Sequence, residues 1–388
     1  MGEMTAVRRA HGCELMEYQY GPGLLPTRSA QPVTMWRYTA LLPLAAGPIR
    51  YPLQVGGTPL VPAARLRTRL GVPDLWIKDE TRGPSASNKD RATALVIEDG
   101  LRRGADTVTT ASTGNAAVST ALGATAAGLR AVIFVPAGCR AEKVALMLAA
   151  EAYVFRVADG YQAAVELSRA AARRFGWLDR NTGANPLTTE AKKTVAFEVW
   201  EQLGRRVPDV MVAPVGDGPT LAALAKGFDE LLACGAIGRV PRLIGVQAAG
   251  CQPLVCRWEG RSPLRADVDP AATVADGIAV DRPVAGALAL DAVRRSGGAM
   301  VAVSDDELLG AVRGLASGAG VDCEPAGAAA LAGLRAALSR GLVDRAEAVA
   351  VLVTGRGRRA APVPEDRTAP LVEGGLEACL DGVAAHLG

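Results

Sequence analysis

The chain has 388 residues, enough to bury a large core, and its length predicts two domains or one large interleaved α/β unit. Its formal net charge is +3, and charged residues are spread along the chain without a block of one sign. The sequence therefore gives no electrostatic support for a partner that is a nucleic acid or a membrane surface.

Cysteine and histidine usage narrows the chemistry further. Seven scattered cysteines form no C-x-x-C pair, and the first thirteen residues carry no apolar signal segment, so we expect reduced thiols in a cytoplasmic protein. The only histidines are His11 and His386, which argues against a Ser-His-Asp triad and predicts no metal site. The general base is therefore expected to be another residue, and lysine is the candidate.

The order of the predicted elements indicates an α/β fold. After about fifty irregular residues, apolar runs alternate with helix-length amphipathic segments. This pattern is typical of a parallel sheet covered on both faces, whose ligands bind at the carboxyl ends of the strands. The predicted strands are 107–111, 131–135, 154–157, 210–215, 243–247, 300–303 and 348–354. The predicted helices are 116–127, 141–150, 161–174, 220–232, 305–316 and 326–337.

Three further stretches of the sequence allow specific predictions. The longest apolar stretch, 116–138, is interrupted by Arg130 and is better explained by two short buried elements than by a membrane span. Residues 256–283 are expected to form a less regular excursion, at the surface or at a subunit contact. The segment 360–388 is expected to be a linker followed by one amphipathic helix.

The first motif is PSASNKDR at 84–91, which places Lys89 among small polar residues at a loop-to-helix junction. Partial desolvation of its amine would favour the neutral form, which attacks a carbonyl in Schiff-base formation. An ordinary helix start capped by Ser87 explains the same residues.

The second motif is TASTGNAA at 110–117, directly after a predicted strand. Main-chain amides and hydroxyls at a helix start suit a substrate carboxylate, and Asn115 offers an amide donor to a phenolate-like oxygen. A Ser/Thr cap on a strand-to-helix turn is the alternative.

The third motif is PVGDGPTL at 214–221, where glycines let the backbone approach a phosphate and Pro219 suits the first helical turn. Pro219 lacks an N–H and Asp217 would repel a phosphate if it pointed inward. The signal is therefore weaker than that of a G-x-G-x-x-G loop or a P-loop.

The fourth motif is VLVTGRG at 351–357, in which the hydroxyl of Thr354 at a strand end could donate to a ring nitrogen. A strand that ends in a turn has the same appearance.

In this order the four motifs resemble the fold-type II pyridoxal-phosphate (PLP) enzymes, and among them most closely the threonine synthase group. The similarity extends from about residue 38 to about residue 359. The stretches that carry it are MWRY at 35–38, GGTPL at 56–60, SNKDR at 87–91, ASTGN at 111–115, KTVAFE at 193–198 and EPA at 324–326.

The resemblance implies an α/β fold of two interleaved three-layer α/β/α domains with mostly parallel sheets. It implies a large cofactor domain of residues 51–95 plus 195–359 and a small substrate domain of residues 96–194. An N-terminal extension of residues 1–50 and a C-terminal tail of residues 360–388 would flank them.

The resemblance also implies residue roles for a PLP cofactor. Lys89 would be the Schiff-base lysine and the general base at Cα, and Asn115 would bond the 3′-oxygen of the cofactor. Gly216, Asp217, Gly218 and Thr220 would cradle the cofactor phosphate. Thr354 would contact the pyridine nitrogen. Because that partner is a neutral hydroxyl, elimination and replacement at Cβ or Cγ are expected over transamination.

The substrate side departs from the threonine synthase pattern. Ser112 and Thr113 would hold the substrate carboxylate. The segment that commonly carries Asn-Ser and then Arg to grip the substrate phosphate reads Thr182, Gly183 and Thr188 here, and threonine cannot replace the charge of arginine. Lys192 or Lys193 would compensate only as a point charge. Asn88 also stands where an aromatic residue is usual.

Three functions therefore remain open at this stage. The leading one is a threonine synthase-like lyase acting on O-phosphohomoserine. The second is a PLP enzyme of β-elimination or β-replacement, resembling a serine/threonine dehydratase or a cysteate synthase. The third is a non-catalytic nucleotide- or ligand-binding α/β protein. The family resemblance further implies a homodimer.

Overall fold

The structure is a computed structural model that describes residues 3–10, 13–19, 33–357 and 367–388. His11 and the predicted boundary at residues 359 and 360 lie outside the described residues. The chain divides into two compact units. The first comprises Gly56–Asn88, Thr189–Gly357 and the described part of residues 1–44, and the second comprises Ala45–Val55, Lys89–Thr188 and residues 367–388.

These boundaries differ from the sequence-based division at several points. Residues 33–44 belong to the first unit, whereas the sequence suggested a separate extension up to residue 50. The second unit begins its main segment at Lys89, whereas the predicted small domain begins at residue 96.

The first unit is built on a six-stranded sheet with the order β11-β10-β9-β12-β4-β3. All neighbouring strands are parallel except β3, which runs antiparallel to β4 at the edge. The strands are β3 (Leu60–Pro62), β4 (Leu75–Asp79), β9 (Val210–Pro214), β10 (Arg242–Ala248), β11 (Ala299–Val303) and β12 (Val349–Val353).

Helices cover both faces of this sheet. One face packs against α1, α11 and α12 through a core of Val, Ile, Leu and Ala side chains, and the other packs against α7 to α10. The helices are α1 (Ala64–Leu70), α7 (Thr194–Gln202), α8 (Pro219–Ala233), α9 (Pro253–Trp258), α10 (Gly286–Arg295), α11 (Asp305–Ala319) and α12 (Pro325–Ser339). Burial on both faces explains why the central strands are continuous apolar runs.

An antiparallel hairpin corrects the expectation that the first fifty residues are irregular. Its strands are β1 (Glu3–Ala10) and β2 (Cys13–Gln19), with a register shift between Ala6 and Arg9. The Lys226 ammonium in α8 donates to the Tyr18 carbonyl oxygen of β2 at 2.6 Å. The hairpin thus belongs to the first unit.

The second unit is built on a five-stranded parallel sheet with the order β13-β7-β6-β5-β8. The strands are β5 (Thr107–Ala111), β6 (Arg130–Pro136), β7 (Tyr153–Val157), β8 (Leu178–Asp179) and β13 (Leu371–Val372). Its helices are α2 (Lys89–Arg102), α3 (Asn115–Ala126), α4 (Ala141–Leu148), α5 (Gly160–Phe175) and α13 (Leu376–Leu387). Helix α6 (Leu187–Lys192) crosses from the second unit into the first.

Most predicted elements are confirmed within a few residues. The seven predicted strands correspond to β5, β6, β7 and β9 to β12, and the six predicted helices correspond to α3, α4, α5, α8, α11 and α12. Residues 256–283 contain only short 3₁₀ turns between the end of α9 and the start of α10, as expected of an irregular excursion. The single helix expected in the C-terminal tail is α13. No helix in the described ranges has the length and apolarity needed to span a membrane.

Candidate active site

The first unit gathers one group of the predicted cofactor residues at the carboxyl edge of its sheet. Strand β12 lies between β9 and β4, so the segments that follow these three strands are neighbours. They are the loop Gly216–Thr220 after β9, Thr354 after β12 and the segment Ser85–Asn88 after β4. This is the edge at which parallel α/β sheets bind ligands.

The loop Gly216–Thr220 has the features of a phosphate-binding turn. It leads into the fifteen-residue helix α8, whose first-turn N–H groups on Thr220 and Leu221 have no acceptor within the helix. Gly218 has φ of +97°, and a Cβ there would lie 2.7 Å from the Ala285 carbonyl oxygen. The Asp217 carbonyl oxygen accepts from the Ala285 N–H at 2.9 Å, which fixes the turn.

Asn88 joins the lysine-bearing segment to both other parts of this edge. Its main-chain N–H donates to the Thr354 carbonyl oxygen at 2.8 Å, and Ser87 forms a β-bridge with Gly355. Its side-chain amide donates to Thr220 Oγ1 at 3.5 Å. Asn88 is buried, with 2% of its surface exposed.

The donor set of the first unit fits a phosphorylated pyridine. Among the described residues, the hydroxyl hydrogens of Thr220 and Thr354 have no acceptor, since Thr220 Oγ1 only receives a bond and Thr354 bonds through its main chain. Main-chain amides and the Thr220 hydroxyl suit a phosphate dianion. The Thr354 hydroxyl suits a ring nitrogen, which is an acceptor when unprotonated.

The second unit holds Lys89 and Asn115 at the first turns of two adjacent helices. Lys89 is the first residue of α2 and Asn115 the first residue of α3. Ser119 Oγ, one turn into α3, donates to Asp90 Oδ1 of α2 at 2.8 Å. This buried bond fixes the start of α2 against the start of α3, so the two predicted cofactor residues are held in a constant relation.

The loop after β5 carries the predicted carboxylate-binding hydroxyls. Ser112 Oγ accepts from the Gly114 N–H at 3.2 Å, and Ser112, Thr113 and Asn115 are all partly exposed. Asn181 supports this loop from the neighbouring strand. Its Oδ1 accepts from the Ala111 N–H at 2.7 Å and its Nδ2 donates to Ser168 Oγ at 2.8 Å. Sequence reasoning missed Asn181 because nothing in a lone Asn indicates a bond to a distant strand.

Thr182 follows β8, which pairs in parallel with β5, so its loop lies beside the Ser112–Thr113 loop. Its partly exposed hydroxyl accepts a hydrogen bond from the guanidinium of Arg180 at 3.3 Å. Arg180 itself is fully buried. The structure thus brings together Lys89, Ser112, Thr113, Asn115 and Thr182 at the carboxyl edge of the sheet in the second unit.

Thr188 and Lys192 are less open than the sequence suggested. Both lie on α6, and their side chains are 0% and 2% exposed. The Thr188 hydroxyl donates to the Asn185 carbonyl oxygen at 2.8 Å, which uses its only hydrogen. Lys193 is fully buried in an ion cluster with Glu190 at 2.7 Å and Glu230 at 2.8 Å, and burial lowers the pKa of its amine.

A buried charge network in the first unit was also missed. The Lys78 ammonium contacts Glu198 Oε2 at 2.6 Å and the Thr58 carbonyl oxygen at 2.6 Å, and both charged side chains are 0% exposed. Glu198 Oε1 accepts from the Gly57 N–H at 2.9 Å. In the sequence, Glu198 is the last residue of the KTVAFE stretch, and nothing there indicates a buried ion pair. The structure shows that it fixes the Gly56–Thr58 segment.

Comparisons with known proteins identify the family. A family model described as "Pyridoxal-phosphate dependent enzyme" matches residues 51–355. The chain belongs to this family. It is 36% identical to a threonine synthase of Methanosarcina acetivorans over 83% of this chain and 79% of that protein. It is 34% identical to a threonine synthase of Methanocaldococcus jannaschii over 84% of this chain and 80% of that protein.

A solved structure supports the fold alone. The processed form of threonine deaminase isoform 2 from Solanum lycopersicum superposes with a TM-score of 0.64 at 24% identity, covering 78% of this chain and 84% of that chain. Together the comparisons confirm the predicted fold-type II architecture, the predicted PLP cofactor and a threonine synthase-like enzyme. The non-catalytic hypothesis is therefore wrong.

Proposed function

We propose that this chain is a PLP-dependent carbon–oxygen lyase that acts on a small L-amino acid, removing phosphate from Cγ of O-phosphohomoserine and adding water at Cβ to give threonine. The observation that carries the proposal is the 36% identity to a threonine synthase over 83% of the chain. The two groups of site residues, one in each unit, support it.

Seven residues are proposed to hold the cofactor. When bound, PLP withdraws electron density from Cα of the amino acid attached to it. Lys89 holds the aldehyde carbon, and the Asn115 amide donates to the 3′-oxygen. The cofactor phosphate contacts the main chain of Gly216, Asp217 and Gly218. It also accepts a hydrogen bond from the Thr220 hydroxyl. The Thr354 hydroxyl donates to the ring nitrogen.

The proton steps are assigned to Lys89. Once its amine is free, it takes the proton from Cα and returns it after the leaving group has departed. Ser112 and Thr113 orient the substrate by donating to its carboxylate, which keeps Cα within reach of the amine. His386 is placed on the C-terminal helix α13 and takes no part.

The substrate side chain is assigned to Thr182, Thr188 and Lys192. Of these, Thr182 is partly exposed and therefore supplies the donor that needs no rearrangement. Thr188 would have to release the Asn185 carbonyl oxygen before its hydroxyl could donate. Lys192 would contribute a charge at the end of α6.

We also propose that the enzyme works in the cytoplasm as a homodimer. The six cysteines whose side chains the structure describes are free thiols, which suits a reducing compartment. Light scattering after size-exclusion chromatography measures the oligomeric state. A monomer at micromolar concentration would remove the dimer from the proposal.

The test uses the visible absorption of the purified protein and its reaction products. The wild type is expected to show a Schiff-base band that is lost in Lys89→Ala and kept in the control Lys143→Ala, in which a different lysine is removed. O-phosphohomoserine is expected to yield inorganic phosphate and threonine in equal amounts. No band, even after incubation with added PLP, would contradict the assignment of Lys89.

The same assay decides the alternative reaction. If serine, threonine or O-phosphoserine is converted to a keto acid and ammonia while O-phosphohomoserine releases no phosphate, the enzyme is a β-elimination lyase. If O-phosphoserine and a sulfur nucleophile give a new amino acid, it is a β-replacement enzyme. Either result replaces the proposed reaction and leaves the cofactor assignment in place.

A further inference from the structure

The guanidinium of Arg180 is an unusual buried charge in the second unit. Arg180 follows β8, is 0% exposed and has only neutral oxygen atoms as hydrogen-bond acceptors. Its Nε donates to Thr93 Oγ1 at 3.2 Å, and its two terminal nitrogens donate to Thr182 Oγ1 at 3.3 Å and to the Lys89 carbonyl oxygen at 3.4 Å. Within the described ranges no carboxylate oxygen lies within 4 Å of it.

Burying a cation that contacts no anion costs free energy, because the charged group loses its hydration. Burial lowers the pKa of Arg180 to about 10, although Asp90 and Asp179 raise it from a distance. The guanidinium is still protonated at neutral pH. Arginine is the residue suited to anion recognition, because its planar group offers several donors in fixed directions. A nonpolar residue would fill the same volume without this cost.

The hydrogen bond from Arg180 to Thr182 determines how the buried guanidinium can affect a ligand. A threonine hydroxyl has one hydrogen and two lone pairs. Because the Arg180 guanidinium donates to Thr182 Oγ1, the hydroxyl hydrogen must point elsewhere, and among the residues the structure describes it has no acceptor. Thr182 is partly exposed, so its hydrogen is available to a bound molecule.

The surroundings place this donor beside the predicted substrate carboxylate site. The Thr182 loop and the Ser112–Thr113 loop follow the neighbouring parallel strands β8 and β5. Arg180 also bonds the main chain of Lys89, the proposed catalytic residue. An amino acid held by Ser112 and Thr113 would therefore direct its side chain toward the same edge of the sheet that carries Thr182.

We infer that Arg180 is a positioning residue that acts through Thr182, and that it makes the site selective for amino acids with an anionic group on the side chain, such as a phosphate ester. Thr182 donates its hydrogen to this group, and the fixed charge of Arg180 behind it strengthens the bond. The inference rests on the proposed function, because it assumes that the substrate carboxylate binds at Ser112 and Thr113.

The test compares two amino acids that differ only in the phosphate. Dissociation constants of O-phosphohomoserine and of homoserine are measured from the change in the visible band of the holoenzyme. Loss of a hydrogen bond to a charged group predicts that Thr182→Val weakens O-phosphohomoserine binding by about 10- to 100-fold, while homoserine changes by less than about threefold. Thr182→Ser, which keeps the hydroxyl, is expected to restore most of the difference.

Two further variants separate this role from a purely structural one. Thr125→Val removes a hydroxyl near the end of α3 in the same unit that donates to the Ala150 carbonyl oxygen, and it is the matched control, with both dissociation constants unchanged. Arg180→Lys keeps a charge but not the planar donor group. It is expected to lower the preference for O-phosphohomoserine in the wild-type background and to have no further effect in the Thr182→Val background.

The outcomes distinguish this inference from the proposed function. If Thr182→Val weakens both ligands equally, or neither, Arg180 does not act through Thr182, even if the wild type makes threonine. If the wild type makes no threonine but Thr182→Val still removes its preference for the phosphate ester, the selectivity stands and the reaction is a different one. If Arg180→Lys does not fold, the Thr182 variants alone decide the question.

Discussion

The buried ion pair of Lys78 and Glu198 makes a strong prediction for stability. Both side chains are 0% exposed, and the Lys78 ammonium also contacts the Thr58 carbonyl oxygen at 2.6 Å and Gln202 Oε1 at 3.0 Å. Lys78→Met removes the ammonium that contacts the buried Glu198 carboxylate at 2.6 Å. Removing one partner of a buried pair costs about 3–5 kcal/mol of the free energy of unfolding.

The loss in the free energy of unfolding is measured by denaturant titration, with unfolding monitored by circular dichroism. The double variant Lys78→Met/Glu198→Gln is expected to recover part of the loss, because it removes the buried carboxylate charge as well as the ammonium. The exposed pair Arg103–Asp99, with side-chain exposures of 62% and 26%, provides the control. Arg103→Met there should cost no more than about 0.5 kcal/mol.

Two results would refute the reasoning about this pair. A loss below about 1 kcal/mol for Lys78→Met would mean that water or a structural shift compensates Glu198. A double variant at least as unstable as Lys78→Met would mean that the loss of stability comes from packing and not from the charge of the buried carboxylate. Both results are read at constant m-value, because a changed m-value would signal a different unfolded state.

Two further predictions concern the cofactor loop and a thiol. Gly218→Ala places a methyl group 2.7 Å from the Ala285 carbonyl oxygen at φ of +97°, so PLP affinity measured by spectral titration should fall at least about tenfold. Gly235→Ala, with φ of +70° and open space around it, is the control that should keep its affinity. Cys323 is 5% exposed, and burial raises its thiol pKa to about 12, so iodoacetamide at pH 8 should not label it until urea unfolds the chain. Rapid labelling of Cys323 in the native protein, read by peptide mass spectrometry, would contradict the described burial.

The elements that could be predicted from the sequence are those whose buried residues are all apolar. Strands β9 and β12, and β6 after its first residue Arg130, are runs of apolar residues, and such runs indicate central strands of a parallel sheet. Strand β4 was missed because its sequence LWIKD ends in two charges, which usually indicate a surface. Lys78 and Asp79 are nevertheless buried, and only the three-dimensional partners, such as Glu198, make that possible.

In the candidate site, too, residues with a local sequence signal were predicted, and residues whose role depends on tertiary contacts were not. The residues of the four motifs were predicted because small and polar residues cluster at strand ends, and the structure places them at the carboxyl edges of two mostly parallel sheets. Arg180 and Asn181 were missed, since their roles depend on the pairing of β8 with β5. Helix α2 was predicted only at its start, as the loop-to-helix junction that carries Lys89, and the structure extends it to Arg102.

The C-terminal strand β13 has a consequence for how the protein must be handled. It pairs with β7, and the Arg156 and Ala158 N–H groups donate to the Pro370 and Val372 carbonyl oxygens at 2.8 and 3.2 Å. Without residues 367–388, those N–H groups would form a bare edge that another chain could pair with. A shortened protein would then be lost to aggregation even though its catalytic residues are intact, and an activity assay alone would mistake poor solubility for poor catalysis.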